Sequence, residues 1–364
     1  FKFIYPSATV ILFFAASLAG CITSTTLAWS ISPISPTPRP FAVHNNRLVE
    51  SSSFSRSTHL HSQRPSLLPL PMSSITPECC NEAIERFQGQ TVLLTGASGG
   101  LGRSLALQMT KCGASTLILS ARDKASLEEV AKECRQLAAE DMKNIDVHII
   151  TCDLSDQKSV SKLCEESLKV AEGSVDVLIN NGGVSSRSRF LDTTSEVDEL
   201  LMRINFLSGA QIAKQVVPGM VEKKQGTIIW ISSVQGLLGI PNRTSYAASK
   251  FAVQGYCEAL RAELASSGVT VHVASPGYIR TNLSRSAITG DGSNYGKMDD
   301  TTANGADPDE VATTVIDSVA NGKADFVVAA NTSAKAAIWL RFLAPSFLNS
   351  MLAKRYDKSR ESEE

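Results

Sequence analysis

From Glu82 to about residue 330 the chain alternates short apolar runs with amphipathic segments, and this alternation restricts its fold more than any other feature. The runs are TVLLT (91–95), STLILS (115–120), VHIITC (147–152), VDVLIN (175–180), GTIIWIS (226–232), VTVHVAS (269–275) and ADFVVA (324–329). Each is rich in Val, Ile and Leu without polar alternation, which is the pattern of a strand covered on both faces in a parallel sheet. The stretches between them, KASLEEVAKECRQLAAE (124–140) and SVSKLCEESLKVA (159–171) among them, carry helical spacing. Strands alternating with helices predict one doubly wound α/β domain over 82–330, its seven-stranded sheet mainly parallel.

Composition narrows the partners. A net charge of −1 supplies no field for nucleic acid. The cysteines show no CxxC or Cys/His spacing, so no metal site and no disulfide framework is expected, and Cys112, Cys134, Cys152, Cys164 and Cys257 read as buried free thiols. His272 reads as a core or strand-edge histidine, Asp299-Asp300 as a solvated loop pair, and Lys223-Lys224 as an exposed turn.

The two ends differ from the middle. Residues 1–28 hold an apolar heart of about 13 residues behind Lys2, the length of a signal peptide or signal anchor rather than of a full span of ~20 residues. A first residue other than Met reads as a sequence lacking its start. Residues 29–81 are rich in Ser, Pro and Arg and too polar to bury a core, as in a disordered, transit-like leader. Together they suggest an endoplasmic reticulum address or a two-part, plastid-directing leader. At the other end, 331–364 carries Trp339, Phe342, Phe347 and Met351 and then mixed charge. It reads as a helix packed on the domain or on a second subunit, a lid, or a shallow membrane anchor.

The first strand runs into TGASGGLGRSLALQM, where Gly96, Gly100 and Gly102 mark a strand-to-helix turn. Without Cβ atoms there, backbone can approach a pyrophosphate, and the next helix offers its N-terminal N–H groups. The second strand ends ILSARDK. The usual carboxylate that accepts from a ribose hydroxyl is replaced by Ala121, and Arg122 follows. A guanidinium suits a 2′-phosphate, so NADP(H) is the expected cofactor, unless Arg122 is a solvated partner of Asp123. CDLSD places Asp153 toward an adenine amino group, and INNGGVS brings two amides and two glycines to the carboxyl edge of the sheet, where such folds bind ligands.

Strand five ends WISSVQG, and Ser233 lies 13 residues before Tyr246; Lys250 lies one helical turn beyond it. A free phenol with a pKa near 10 is a poor acid–base group at neutral pH, but a nearby cation stabilises its ionised form. Ser233 can hold a carbonyl oxygen while charge develops on it. Asn205, an amide inside a predicted helix, is either surface decoration or part of a water path to the lysine.

TGxxxGxG, NNxG, the mid-chain Asn, Ser-x12-Tyr-x3-Lys and Pro-Gly after the sixth strand together resemble the short-chain dehydrogenase/reductase family, over roughly 88–330. The resemblance implies a Rossmann fold. It makes Tyr246 the general acid/base, Ser233 the group orienting the carbonyl, Lys250 the residue holding the nicotinamide ribose, and Asn205 the support of a proton relay. The cofactor set it implies is Gly96, Ser98, Gly100, Leu101, Gly102, Arg122, Asp153, Leu154, Asn180, Gly182, Tyr246, Lys250, Pro276, Ile279 and Thr281. Gly183 and Leu101 depart from the usual Ala and Ile without removing a functional group. The stretch 275–305 and the tail LRFLAPSFLNSMLAKR look like the dehydrogenase/reductase member 7B branch, which is similar to the 11β-hydroxysteroid dehydrogenases and tends to be membrane-associated; this implies a lipophilic carbonyl or alcohol substrate. The expected activity is NADPH-dependent reduction of a carbonyl, or oxidation of the matching secondary alcohol. A homodimer and a peripheral membrane contact fit the tail. The alternatives are an NADP(H)-binding scaffold or sensor without turnover, which need not keep Ser233, Tyr246 and Lys250, and a docking protein acting through its tail.

Overall fold

The computed structural model describes residues 79–142 and 144–361; the expected signal segment and nearly all of the leader lie outside them. Helix α1 (Asn81–Phe87) precedes β1 (Thr91–Thr95), α2 (Gly100–Lys111), β2 (Thr116–Ala121), α3 (Lys124–Glu140), β3 (Asp146–Thr151), α4 (Gln157–Val170) and β4 (Val177–Asn180). Then come α5 (Ser195–Met202), a π-helical turn (Arg203–Leu207), α6 (Ser208–Lys223), β5 (Gly226–Ile231), α7 (Thr244–Glu263) and β6 (Val269–Pro276). The short α8 (Asp300–Ala303), α9 (Pro308–Ala320), β7 (Asp325–Val328), α10 (Thr332–Leu343) and α11 (Pro345–Glu361) complete the described residues. The strands form one sheet in the order β3-β2-β1-β4-β5-β6-β7, and every adjacent pair is parallel.

The uniformly apolar runs have the cause expected of them. Along β1, Val92 and Leu94 enter the core packed by Leu105, Met109, Leu127 and Val315, while Leu93 enters the opposite core with Leu163, Ile212 and Val253. The two faces are thus covered by α1, α2, α3 and α9 on one side and by α4, α6 and α7 on the other. A strand between two dry layers has no wet face on which polar residues could alternate. Burying a Leu or Val side chain stabilises the fold by about 1.5–3 kcal/mol, so the sheet is the energetic centre of the molecule.

Helix starts follow local chemistry. Asp123 caps α3 through Ser126 N, Asp156 caps α4 through Lys158 N and Ser159 N, and Asp307 caps α9 through Asp309 N. Helix α2 is different: its N-cap is Gly99, which has no side chain to accept from the first N–H groups. The strand order reverses direction between β1 and β4, and this switch point opens beside that uncapped end. The five cysteines expected as buried thiols are buried and free.

Candidate active site

The β1–α2 turn is possible only with glycine at two points. Gly96 sits at φ +67°, and a Cβ there would lie 2.7 Å from Gly182 Cα. A Cβ on Gly102 would fall 2.0 Å from the Gly96 carbonyl oxygen. Asn181 clamps the same turn, its Nδ2 donating to the carbonyls of Thr95 and Gly96 at 3.1 Å each. The result is a cleft of about 470 Å³ at the carboxyl edge of the sheet. Ser98, Gly100, Leu101, Arg122, Asp153, Leu154, Gly182, Pro276, Ile279 and Thr281 all line it, as do Gly96 and Gly102. Thr281 reaches across to α2, because a Cβ on Gly100 would meet its Cγ2 at 3.0 Å.

Asn180 is the exception: of the expected cofactor set it alone does not line the cleft. Its side chain is buried, with Nδ2 donating to Gly209 O at 3.4 Å. Successive strand residues point to opposite faces, so of the two amides in INNGG only Asn181 faces the turn.

The fit of a dinucleotide is read from this geometry. Uncapped N–H groups at α2, backbone with no room for a Cβ and a cleft running from Arg122 to Tyr246 suit an elongated polyanion followed by a flat ring. Arg122 is exposed at the end of β2, and Asp123 does not pair with it, being committed to the cap of α3. Asp153 accepts from Ser155 N and Oγ at 2.8 Å, which fixes its carboxylate at the rim.

The second half of the cleft carries Ser233, Tyr246 and Lys250. Ser233 follows β5, and its hydroxyl accepts from Gln235 N at 3.1 Å in a 3₁₀ turn, Val234–Gly236. Tyr246 and Lys250 stand on the first turns of α7, both buried. Burial pushes the Tyr246 phenol above its ordinary value, opposed by the Ser233 hydrogen bond and the positive charges of Arg243 and Arg187. Burial also pushes the Lys250 ammonium down to about 8. Its Nζ donates to Ile231 O at 2.9 Å and lies 5.8 Å from the Tyr246 ring centroid. The lysine is therefore tethered to the end of β5, and Arg243 and Arg187 add positive charge that favours the ionised phenol.

Asn205 sits in the π-helical turn, buried. Its Oδ1 accepts from Val184 N at 2.8 Å, and its Nδ2 donates to Val184 O and Ser249 Oγ at 2.9 Å each. The amide thus ties the loop after β4 to α7. It makes no direct bond to Lys250; a Cβ on Gly183 would lie 3.0 Å from Asn205 Oδ1 and 3.6 Å from Lys250 Nζ, so Gly183 borders the space between them.

Asp299 is not a solvated loop residue. Arg187 donates to its Oδ2 through Nε (2.7 Å) and Nη2 (2.5 Å), Arg243 does so at 3.3 Å, and Ser284 Oγ at 3.1 Å. Burial acts to raise the Asp299 carboxyl, but these arginines hold it below its usual range. The pairing links residues 187, 243 and 299, whose separation in sequence hid it; the only local hint was charge in otherwise apolar or small surroundings. Asp300, by contrast, is exposed at the start of α8. His272 is a core histidine as expected, bonded to Lys323 O at 2.8 Å and to Arg86 at 3.4 Å. Among the described residues no acidic, His and Cys cluster could hold a metal. Among the described residues of the tail, none lines the cleft.

Residues 90–291 match the family described as short chain dehydrogenase. A Danio rerio protein, dehydrogenase/reductase SDR family member 7B, is 44% identical over 76% of this chain and 89% of its own length. The chain belongs to the short-chain dehydrogenase/reductase family. It is accordingly an oxidoreductase of the class acting on CH–OH groups with NAD(P), and within the family its likeness is to the member 7B branch. The Xenopus tropicalis member 7B is 38% identical over 81% of this chain and 96% of its own, and an Anopheles gambiae family protein 7-like is 42% identical over 75% and 84%. Among solved structures, a family member from Burkholderia phymatum in complex with NAD aligns with a TM-score of 0.61 over 70% of this chain and 94% of its own, at 22% identity, a likeness of fold. A short-chain dehydrogenase from Sphingobium yanoikuyae in complex with NADPH aligns at 0.57 and 26% identity over 68% and 91%.

Proposed function

We propose that this enzyme uses NADPH to reduce the carbonyl of a lipophilic substrate, or oxidises the matching secondary alcohol, with Tyr246 as the acid/base. The observation that carries this reading is the convergence of Ser233, Tyr246 and Lys250 at one end of a cleft whose other end is shaped for a dinucleotide. The bound nicotinamide would supply or accept the hydride. Tyr246 delivers a proton to the carbonyl oxygen or removes it from the hydroxyl, Ser233 donates to that oxygen as charge develops, and the buried Lys250 is placed to donate to a ribose hydroxyl. Asn205 keeps the loop and α7 in register around them and can pass a proton through water beside Gly183.

Preference for NADPH is supported by the exposed Arg122 at the end of β2, unpaired with Asp123 and next to Ala121 rather than a carboxylate. A lipophilic substrate is supported by Val184, Ile204, Val234 and Leu283 on the cleft wall and by the likeness to the 7B branch. At the tail, Trp339, Phe342, Leu343, Phe347 and Met351 are exposed beside Lys354 and Arg355. An apolar face with cations next to it fits shallow docking on an anionic lipid surface.

The decisive test is Tyr246→Phe, assayed by NADPH oxidation against a panel of lipid and steroid ketones. Turnover should fall by about 10²–10⁴-fold while NADPH affinity stays near the parent value. Undiminished turnover would remove Tyr246 from the reaction, and binding without turnover in the parent would favour a nucleotide-binding scaffold instead.

A further inference from the structure

Arg243 is the N-cap residue of α7, three positions before Tyr246, so the two share one side of the first turn, and both line the cleft. Its guanidinium side chain is only 12% exposed. Among the described residues its hydrogen bonding is sparse for so buried a cation: one contact of 3.3 Å to Asp299, with the Tyr278 ring 5.8 Å away. Arg187, in the loop after β4, is the opposite case, with bonds to Asp299, Ser185 Oγ, Ser186 O and Ser284 Oγ. Two guanidinium groups thus share a single carboxylate, and the positive charge left over faces the cleft beside a phenol. Short-range positive charge in a poorly solvated site favours an ionised oxygen over a neutral one.

We propose that Arg243 is a positioning residue that stabilises the ionised form of Tyr246, with Asp299 setting how much of its charge the phenol feels. This assigns to Arg243 part of the task that the Tyr-x3-Lys spacing suggests for Lys250, whose ammonium is tied to Ile231 O. The groups around the phenol are Ser233 after β5, Arg243 and Lys250 on α7, Arg187 after β4 and Tyr278 after β6. Behind them stands Asp299, which holds both arginines and is flanked by Tyr295. Burial raises the phenol and the two arginines oppose it, as the placement requires.

The proposal rests on Tyr246 being the acid/base, yet its test needs no substrate. Alkaline titration of the full chain is followed by tyrosinate absorbance, and each variant is compared with the same variant carrying Tyr246→Phe, so that the difference reports Tyr246 alone. Arg243→Gln should move the midpoint up by roughly one unit, Arg243→Lys should keep it near the parent, and Asp299→Asn should move it down. The opposite signs matter, because a residue that merely props the site would loosen it when removed, admit water and lower the midpoint in both variants. A midpoint in Arg243→Gln that is unchanged or lower overturns the proposal. Should Asp299→Asn fail to fold, the Arg243→Gln and Arg243→Lys pair decides alone. Loss of turnover in Tyr246→Phe is measured separately, so a failure here leaves the assigned reaction standing, and a failure there is visible as such.

Discussion

At the scale of single residues, the cleft is read through charges and their partners. Arg122 ends β2 with its guanidinium in solvent, and its neighbour Asp123 is spent on capping α3. Among the described residues no carboxylate hydrogen-bonds this forked cation, although Asp153 lies within its electrostatic reach, and a guanidinium so placed suits a 2′-phosphate. Arg122→Ala should therefore raise the Michaelis constant for NADPH by about tenfold or more and leave that for NADH nearly unchanged. Steady-state assays with both cofactors check this, and equal effects on the two would show Arg122 to be a bystander. At the same scale the motif residues were legible in advance, and what was not legible was mutual: Asp299 looked like half of a solvated acidic pair because Arg187 and Arg243 lie more than 50 residues away in the chain.

Among the elements, two depart from regular geometry and one stands apart from the cleft. The π-helical turn Arg203–Leu207 adds a residue to the helical path and swings Asn205 toward Val184 and Ser249, a placement that helical periodicity cannot show. The start of α2 lacks the side-chain cap that α3, α4 and α9 all have, which leaves N–H groups for an anion. The tail helices α10 and α11 touch the domain through Arg341, which donates to Leu237 O at 2.9 Å and lies 4.5 Å from the Phe251 ring centroid. Leu348 is buried, while Trp339 and Phe342 are 69% and 68% exposed. Replacing both with Asp should reduce flotation of the full chain with vesicles of phosphatidylcholine and phosphatidylserine and leave turnover of a water-soluble ketone unchanged. Unaltered flotation would show that the tail does not dock, and a joint loss of flotation and turnover would make it part of the domain's core.

For the molecule as a whole, stability has a pH dependence that can be assigned. His272 on β6 accepts from Arg86 at Nε2 while its Nδ1 proton goes to Lys323 O, the neutral tautomer, and burial pushes it from the ordinary 6.5 down to about 4. Between these values the unfolded chain binds a proton that the native chain refuses, so stability is lost as pH falls from about 6.5 toward 4. By pH 5 this single group should remove about 2 kcal/mol. His272→Asn, which keeps a donor for Lys323 O, should be less stable than the parent at neutral pH. Urea midpoints should then converge as pH falls, and a constant gap would dismiss the titration.

What the sequence determined by itself was the layered α/β architecture, the strand and helix succession, and the order of Gly96, Ser233, Tyr246 and Lys250 along the chain. Those features are local: burial on both faces writes itself into uninterrupted Val, Ile and Leu runs, and a turn with no space for Cβ writes itself as glycine. Only the tertiary structure decided that Asn181 rather than Asn180 faces the turn, that Lys250 is tethered to Ile231, and that Arg187 and Arg243 close on Asp299 beside the phenol. Each of those is a relation between residues brought together by the β1–β4 reversal and the loops at the carboxyl edge of the sheet. The strength and sign of such charge interactions depend on distance and burial, and neither is encoded in the neighbours along the chain.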